Sequence, residues 1–246
     1  MAARGSRRWI KWLIGAAAVL VVLVVGGPFV YIHFVSGTAP PPLSVRSAAS
    51  ATPGSGATGG QPAGSGTTAG AAKPVAGTWN VAGGSQVGYR VKEVLFGQDN
   101  IAVGRTSDIA GHLTIRGATV TAGSFTVQMA TIKSDQAERD VQFNGRIMDT
   151  SAFPTGKLTL TKPINFAPLP AVGVANTYTA DANLTLHGST RPVTFQLTAE
   201  RTKTGIETSG SIPVLFSKWG IGNPSFGPIS TQNHGLLEFL LALRKA

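Results

Sequence analysis

Between Tyr178 and Leu197 the chain reads YTADANLTLHGSTRPVTFQL, and its apolar residues fall at every second position. Tyr178, Ala180, Ala182, Leu184 and Leu186 alternate with Thr179, Asp181, Asn183, Thr185 and His187, the period of a half-buried strand. Val193, Phe195, Leu197 and Ala199 repeat the pattern beyond a short loop of Gly188, Ser189 and Thr190, in which Gly188 supplies a positive φ. The spacing predicts a β-hairpin. A hairpin alone buries too little apolar surface to stand in water, so the remaining chain must supply more sheet.

The same alternation recurs throughout the C-terminal part. Val87, Tyr89 and Val91 share one face, as do Leu113 and Ile115, then Phe125, Val127 and Met129, then Leu158 and Leu160. Ile212, Val214 and Phe216 follow the hairpin, and GLLEFLLALRKA ends the chain. Turn signals (GG, RG, AG, HG, SG) separate these runs, which predicts an antiparallel meander. Only the stretch from Asp135 to Met148 breaks the period, and it suits a short helix better than a strand. Many short antiparallel strands in one domain favour a closed barrel, because closure removes exposed edges.

The N-terminal third is built differently. Leu13 to Phe34 contains no Asp, Glu, Lys or Arg, so residues 13–34 are expected to cross a membrane as a signal-anchor helix. Arg4, Arg7, Arg8 and Lys11 precede it, which predicts a cytoplasmic N-terminus over residues 1–12 and an extracytoplasmic location for everything later. The alternative is a cleaved signal peptide with Gly37-Thr38-Ala39 as its small-residue site, and it exports the rest equally. Residues 35–77 are mostly Gly, Ser, Ala, Thr and Pro, the composition of a flexible linker. The GxGxxG match from Gly54 to Gly59 lies inside that stretch without a flanking strand or helix, so it is compositional. Residues 78–246 form a single expected domain.

The formal net charge of +10 mostly reports the N-terminus, since fifteen basic and all eleven acidic residues lie after position 78, a net of +4. A nucleic-acid partner is therefore not expected. The chain has no Cys, which excludes disulfide and thiolate chemistry. His33, His112, His187 and His234 are scattered and fit no metal motif, there is no GxSxG, and no carboxylate pair stands out. No catalytic residue, metal or cofactor is expected. Arg139 and Asp140, beside Asp135 and Glu138, read either as a solvated helix face or as a barrel mouth where Arg139 meets a polar head group. Tyr89, Phe96, Phe125, Met129, Phe143, Phe153, Phe195, Phe216, Trp219 and Phe239 either fill a core or line a cavity. Ala180, Ala182 and Gly210 on inward phases favour room for one ligand.

Several patches in order carry a family resemblance: Trp79 with Ser85-Gln86-Val87-Gly88-Tyr89, the Arg139-Asp140 pair, and Phe153-Pro154. Leu184-Thr185-Leu186-His187-Gly188, Thr190-Arg191-Pro192-Val193 and Trp219-Gly220-Ile221 complete it. With these the domain resembles the YceI-like family of lipocalin-like exported barrels, which includes polyisoprenoid-binding proteins. The resemblance implies an all-β, eight-stranded antiparallel barrel with a short helical cover, holding an isoprenoid or similar long-chain lipid without metal or catalysis. The expected ligand-binding residues are Tyr89, Val91, Phe125, Val127, Met129, Arg139, Phe143, Leu158, Leu184, Leu186, Phe195, Leu197, Val214, Phe216 and Trp219. The rival reading is a filled barrel serving as a protein-interaction or cell-envelope stress module. Its motive is the closing strand, where Leu236, Leu240 and Ala242 form a second apolar face suited to a homodimer contact or a membrane surface. A lipid hydrolase or isomerase is the third reading, without a nucleophile and base to support it.

Overall fold

The computed structural model describes Trp12, residues 39–45 and residues 75–246 apart from Phe96. The predicted membrane helix at 13–34, the rest of the predicted cytoplasmic and linker stretches, and Phe96 lie outside the described residues. Among the described residues no helix is long and apolar enough to cross a membrane.

Each alternating run becomes a strand, except that Met129 and Phe216, at the ends of two runs, fall in 3-10 turns. The strands are β1 (Gly77–Val81), β2 (Gln86–Leu95), β3 (Gln98–Thr106), β4 (Ile109–Arg116), β5 (Thr119–Gln128), β6 (Lys133–Ser134) and β7 (Thr155–Leu160). They continue as β8 (Ile164–Asn165), β9 (Ala175–Leu186), β10 (Ser189–Arg201), β11 (Ile206–Leu215), β12 (Ile229–Thr231) and β13 (His234–Lys245). The excursion is helix α1 (Ala137–Gln142) running into a π-turn over Phe143–Ile147.

Two pairs of segments act as single long strands. β1 pairs with β4 while β2 pairs with β3, so β1–β2 and β3–β4 lie side by side along their whole length. From there the order runs β5, β7, β9, β10, β11 and β13, and β13 pairs with both β1 and β2. Eight antiparallel strands therefore close on themselves, each beside its neighbour in sequence. At the kink between β1 and β2 the ladder to β13 is interrupted. Buried Ser85 repairs it: its Oγ accepts from Ala242 N at 2.9 Å and donates to Ala82 O at 2.8 Å.

The hairpin turn is tighter than expected. Ser189 and Thr190 belong to β10, and the loop is His187-Gly188, with φ of 47° and 72°. Two positive φ values in a two-residue loop match the right-handed twist of the flanking strands, which is why the ladder runs up to the turn. Phe153 packs on this corner, tilted against the His187 ring at 4.5 Å. A Cβ at Gly188 would stand 2.6 Å from Phe153 Cε1. Gly188→Ala is therefore expected to cost about 1–2 kcal/mol from backbone conformation alone, with the clash adding to it. A denaturant melt checks this, and an unchanged midpoint would show that the corner is loose.

Residues 39–45, inside the stretch read as free linker, lie against the barrel wall instead. Arg90 donates to Pro40 O at 2.7 Å, Arg105 donates to Pro41 O, and Val45 N donates to Ser209 Oγ at 3.0 Å. Composition predicts a coil here, but three successive prolines pre-set an extended conformation whose carbonyls are free to accept.

Candidate functional site

Inward-facing residues of every long strand surround a cavity of about 1140 Å³. Its wall includes Gln136, Arg139 and Phe226 at the helical end and Val75, Phe166 and Pro170 at the other, so it runs the length of the barrel. A filled interior is thus not what the barrel contains. The space follows from small inward residues: Ala180 and Ala182, on β9, are 1% and 2% exposed and both border the cavity.

Tyr89, Val91, Phe125, Val127, Met129, Phe143, Leu158, Leu184, Leu186, Phe195, Leu197, Val214 and Phe216 all border the channel, and so does Arg139. Two expectations are corrected. Trp219 is buried but is not part of the wall; its indole N–H donates to the Leu184 carbonyl at 3.2 Å. It lies at the end of the 3-10 turn Phe216–Trp219, beyond the last residue of the inward alternation Ile212, Val214, Phe216. Gly210 faces inward but makes no room for a ligand, because a Cβ there would meet Phe239 Cζ at 2.7 Å. The glycine is filled by a neighbouring ring, which in turn stands edge-on to Phe195 at 5.9 Å.

The helical end carries polar groups. Arg139, on α1, donates to Glu93 Oε1 at 3.0 Å and to Asp135 Oδ1, and only 17% of its side chain is exposed. It is therefore a mouth residue and not part of a solvated helix face. Glu93 also accepts from Asn100 Nδ2 at 2.8 Å. Asp140 turns the other way and ties the helix to β6, accepting from Ser134 N and Oγ at 2.8 Å each. Tyr89 stacks on Phe143 with ring centroids 5.2 Å apart. Burial pushes the Tyr89 phenol up to about 12, so it stays a neutral donor at this mouth. Arg146 closes the far side of the opening: it donates to Asn223 O at 3.3 Å and Pro224 O at 2.9 Å and lies over the exposed Phe226 ring.

Glu93 was not among the expected site residues. A carboxylate on the inward phase Val87, Tyr89, Val91, Glu93, Leu95 is the signal that points to it, since an inward charge needs a partner. None of the described histidines borders the cavity. Among the described residues no group of three His, Cys, Asp or Glu is close enough to hold a metal. Chemically, the arrangement offers an apolar channel behind a ring of hydrogen-bonding groups in which Arg139 is paired with Glu93 and Asp135.

A closed up-and-down β-barrel with an open apolar channel is the class these features define. Within that class, a family model of the YceI-like domain matches residues 79–240, and the chain belongs to the YceI-like family. Among solved structures, it is similar to a polyisoprenoid binding domain from Saccharophagus degradans implicated in plant cell wall breakdown. The identity is 14%, the match covers 70% of this chain and 99% of that one, and the TM-score is 0.55. Burkholderia cenocepacia BcnA matches at 16% identity over 63% of this chain and 95% of its own, with a TM-score of 0.49. The Campylobacter jejuni YceI protein matches at 12% identity over 56% and 83%, with a TM-score of 0.43. At 14% identity the first likeness shows a shared fold alone. No curated protein matches the chain.

Proposed function

We propose that the barrel is a lipid-binding protein that holds one long apolar chain, of an isoprenoid or similar lipid, in its channel with the polar end beside Arg139. The channel carries this reading. Its volume of about 1140 Å³ exceeds the ~300–1,000 Å³ usual for drug-sized ligands, and its wall is apolar along the barrel, with polar groups at both ends: Glu93, Gln136 and Arg139 at the helical end, Glu200, Arg201 and Thr208 at the other. Burial of apolar surface supplies the affinity, at about 25 cal/mol per Å² before ordering costs. The family membership and the polyisoprenoid-binding neighbour support the ligand class. On this reading residues 13–34 anchor the chain in a membrane, the barrel is extracytoplasmic, and the protein carries its ligand without reacting with it. The interaction-module reading loses its main motive, because residues 39–45 already lie across the outer face of β13 and its neighbours.

Native mass spectrometry of the detergent-purified full chain tests the proposal. A discrete adduct that organic solvent releases as a prenyl or acyl lipid is the expected result; a mass that stays clean after incubation with prenyl lipids would overturn it. Arg139→Ala is expected to weaken a polar-headed prenyl lipid about tenfold more than a bare hydrocarbon of equal length, the worth of one charge-assisted hydrogen bond. Equal losses for both ligands would remove Arg139 from head-group recognition.

A further inference from the structure

The outer face of β13 is unusual for a barrel wall. Its outward residues are Leu236, Glu238, Leu240 and Ala242, and Glu238 is only 3% exposed although it points away from the channel. A buried carboxylate on an outer face needs both counter-charge and cover. Arg90, on β2, supplies the first at 2.6 Å, with Arg105, on β3, at 3.7 Å. The cover is the segment Ala39–Val45, and it is held by the same two arginines. Each guanidinium that faces Glu238 also donates to a backbone carbonyl of the segment, Arg90 to Pro40 O and Arg105 to Pro41 O. Farther on, Ser209 of β11 accepts from Val45 N and is itself buried.

This geometry reads backbone, not side chains. Prolines have carbonyls but no N–H, and an extended proline run leaves those carbonyls unpaired and already in position, so little entropy is lost on docking. Two arginines sharing one carboxylate leave a net positive site, which suits carbonyl oxygens. We propose that this outer face is a recognition site for the chain's own proline-rich segment, and that Ala39–Val45 is an intramolecular latch. The consequence, which rests on the membrane-anchor reading above, concerns distance. With the latch closed, residues 35–38 alone separate the anchor from the barrel wall, a reach of at most about 14 Å. Residues 46–74 then connect the latch back to β1 and no longer set the spacing. The latch keeps the wall that carries it within that reach of the anchor.

The absence of native cysteine makes the test direct. In the full chain expressed in host membranes, the pair Val45→Cys with Ser209→Cys is expected to close an intrachain disulfide at least about tenfold faster than Val45→Cys with Lys157→Cys. Lys157 is exposed on β7, the strand opposite β13 in the ring. Adding Arg90→Ala and Arg105→Ala is expected to erase that advantage. Equal rates for the two pairs would overturn the latch, and a disulfide-linked dimer would overturn its intramolecular form by showing that a second copy donates the segment. Hydrogen exchange on the unaltered full chain gives an independent readout: the Val45 amide is expected to be protected about a hundredfold, and no protection would overturn the proposal even if a cysteine variant misfolds. A fast disulfide in a chain that does not sediment with membranes would keep the latch and remove the anchor.

Discussion

Replacing Ala182 with Phe is expected to leave the barrel folded while weakening a bound prenyl chain roughly a hundredfold. Ala182 is almost wholly shielded from solvent, yet it borders the cavity, so a larger side chain at this position has the channel to enter. Overpacking in a filled core usually costs about 1–3 kcal/mol, and an adjoining cavity relieves most of that. The ring would occupy the space of about four ligand carbons, each worth about 0.8 kcal/mol when buried, for a loss near 3 kcal/mol. A lipid-displacement titration run beside a thermal melt separates the outcomes. Unchanged affinity with an unchanged melt would mean that the ligand lies elsewhere. A large drop in melting temperature would mean that the space beside Ala182 is not open.

The second large effect belongs to a residue off the wall. Trp219→Ala should lower stability by about 3–5 kcal/mol, because it removes an almost fully buried indole together with its hydrogen bond to the Leu184 carbonyl. For a domain of this size that is a fall of roughly 6–20 °C in melting temperature. Trp219→Phe keeps most of the packing and should lose only about 1 kcal/mol for the missing donor. Measured well below its melting temperature, the Ala variant should still bind prenyl lipid within about threefold of the parent chain. Selective loss of binding with intact stability would return Trp219 to the ligand site.

Trp219 also illustrates where reading by period stops. The wall residues on β2, β5, β7, β9 and β10 were legible because each strand carries its own inward phase in its own sequence. Arg139 was legible as a mouth candidate because charge clusters in the one stretch that breaks the period. Asp135 is four residues before Arg139 and so a local partner, but Glu93 stands on β2, and nothing local to either residue announces that the two meet. The inward phase of Gly210 suggests free space, but Phe239, from β13, fills it. The segment Ala39–Val45 has the composition of a coil, and only the arginines of β2 and β3 give its carbonyls a place to dock.

That residues 78–246 form a meander of half-buried strands broken by one short helix can be read from the chain directly, because alternation and turn chemistry are local properties. That the inward faces enclose a channel follows from the packing of distant strands alone. The width of a barrel depends on how many strands close the ring, and closure here is the pairing of β13 with β1 and β2, the two ends of the domain. Whether an inward residue then fills or lines that space depends on which side chains meet across strands, a relation between distant positions that no single stretch of sequence contains.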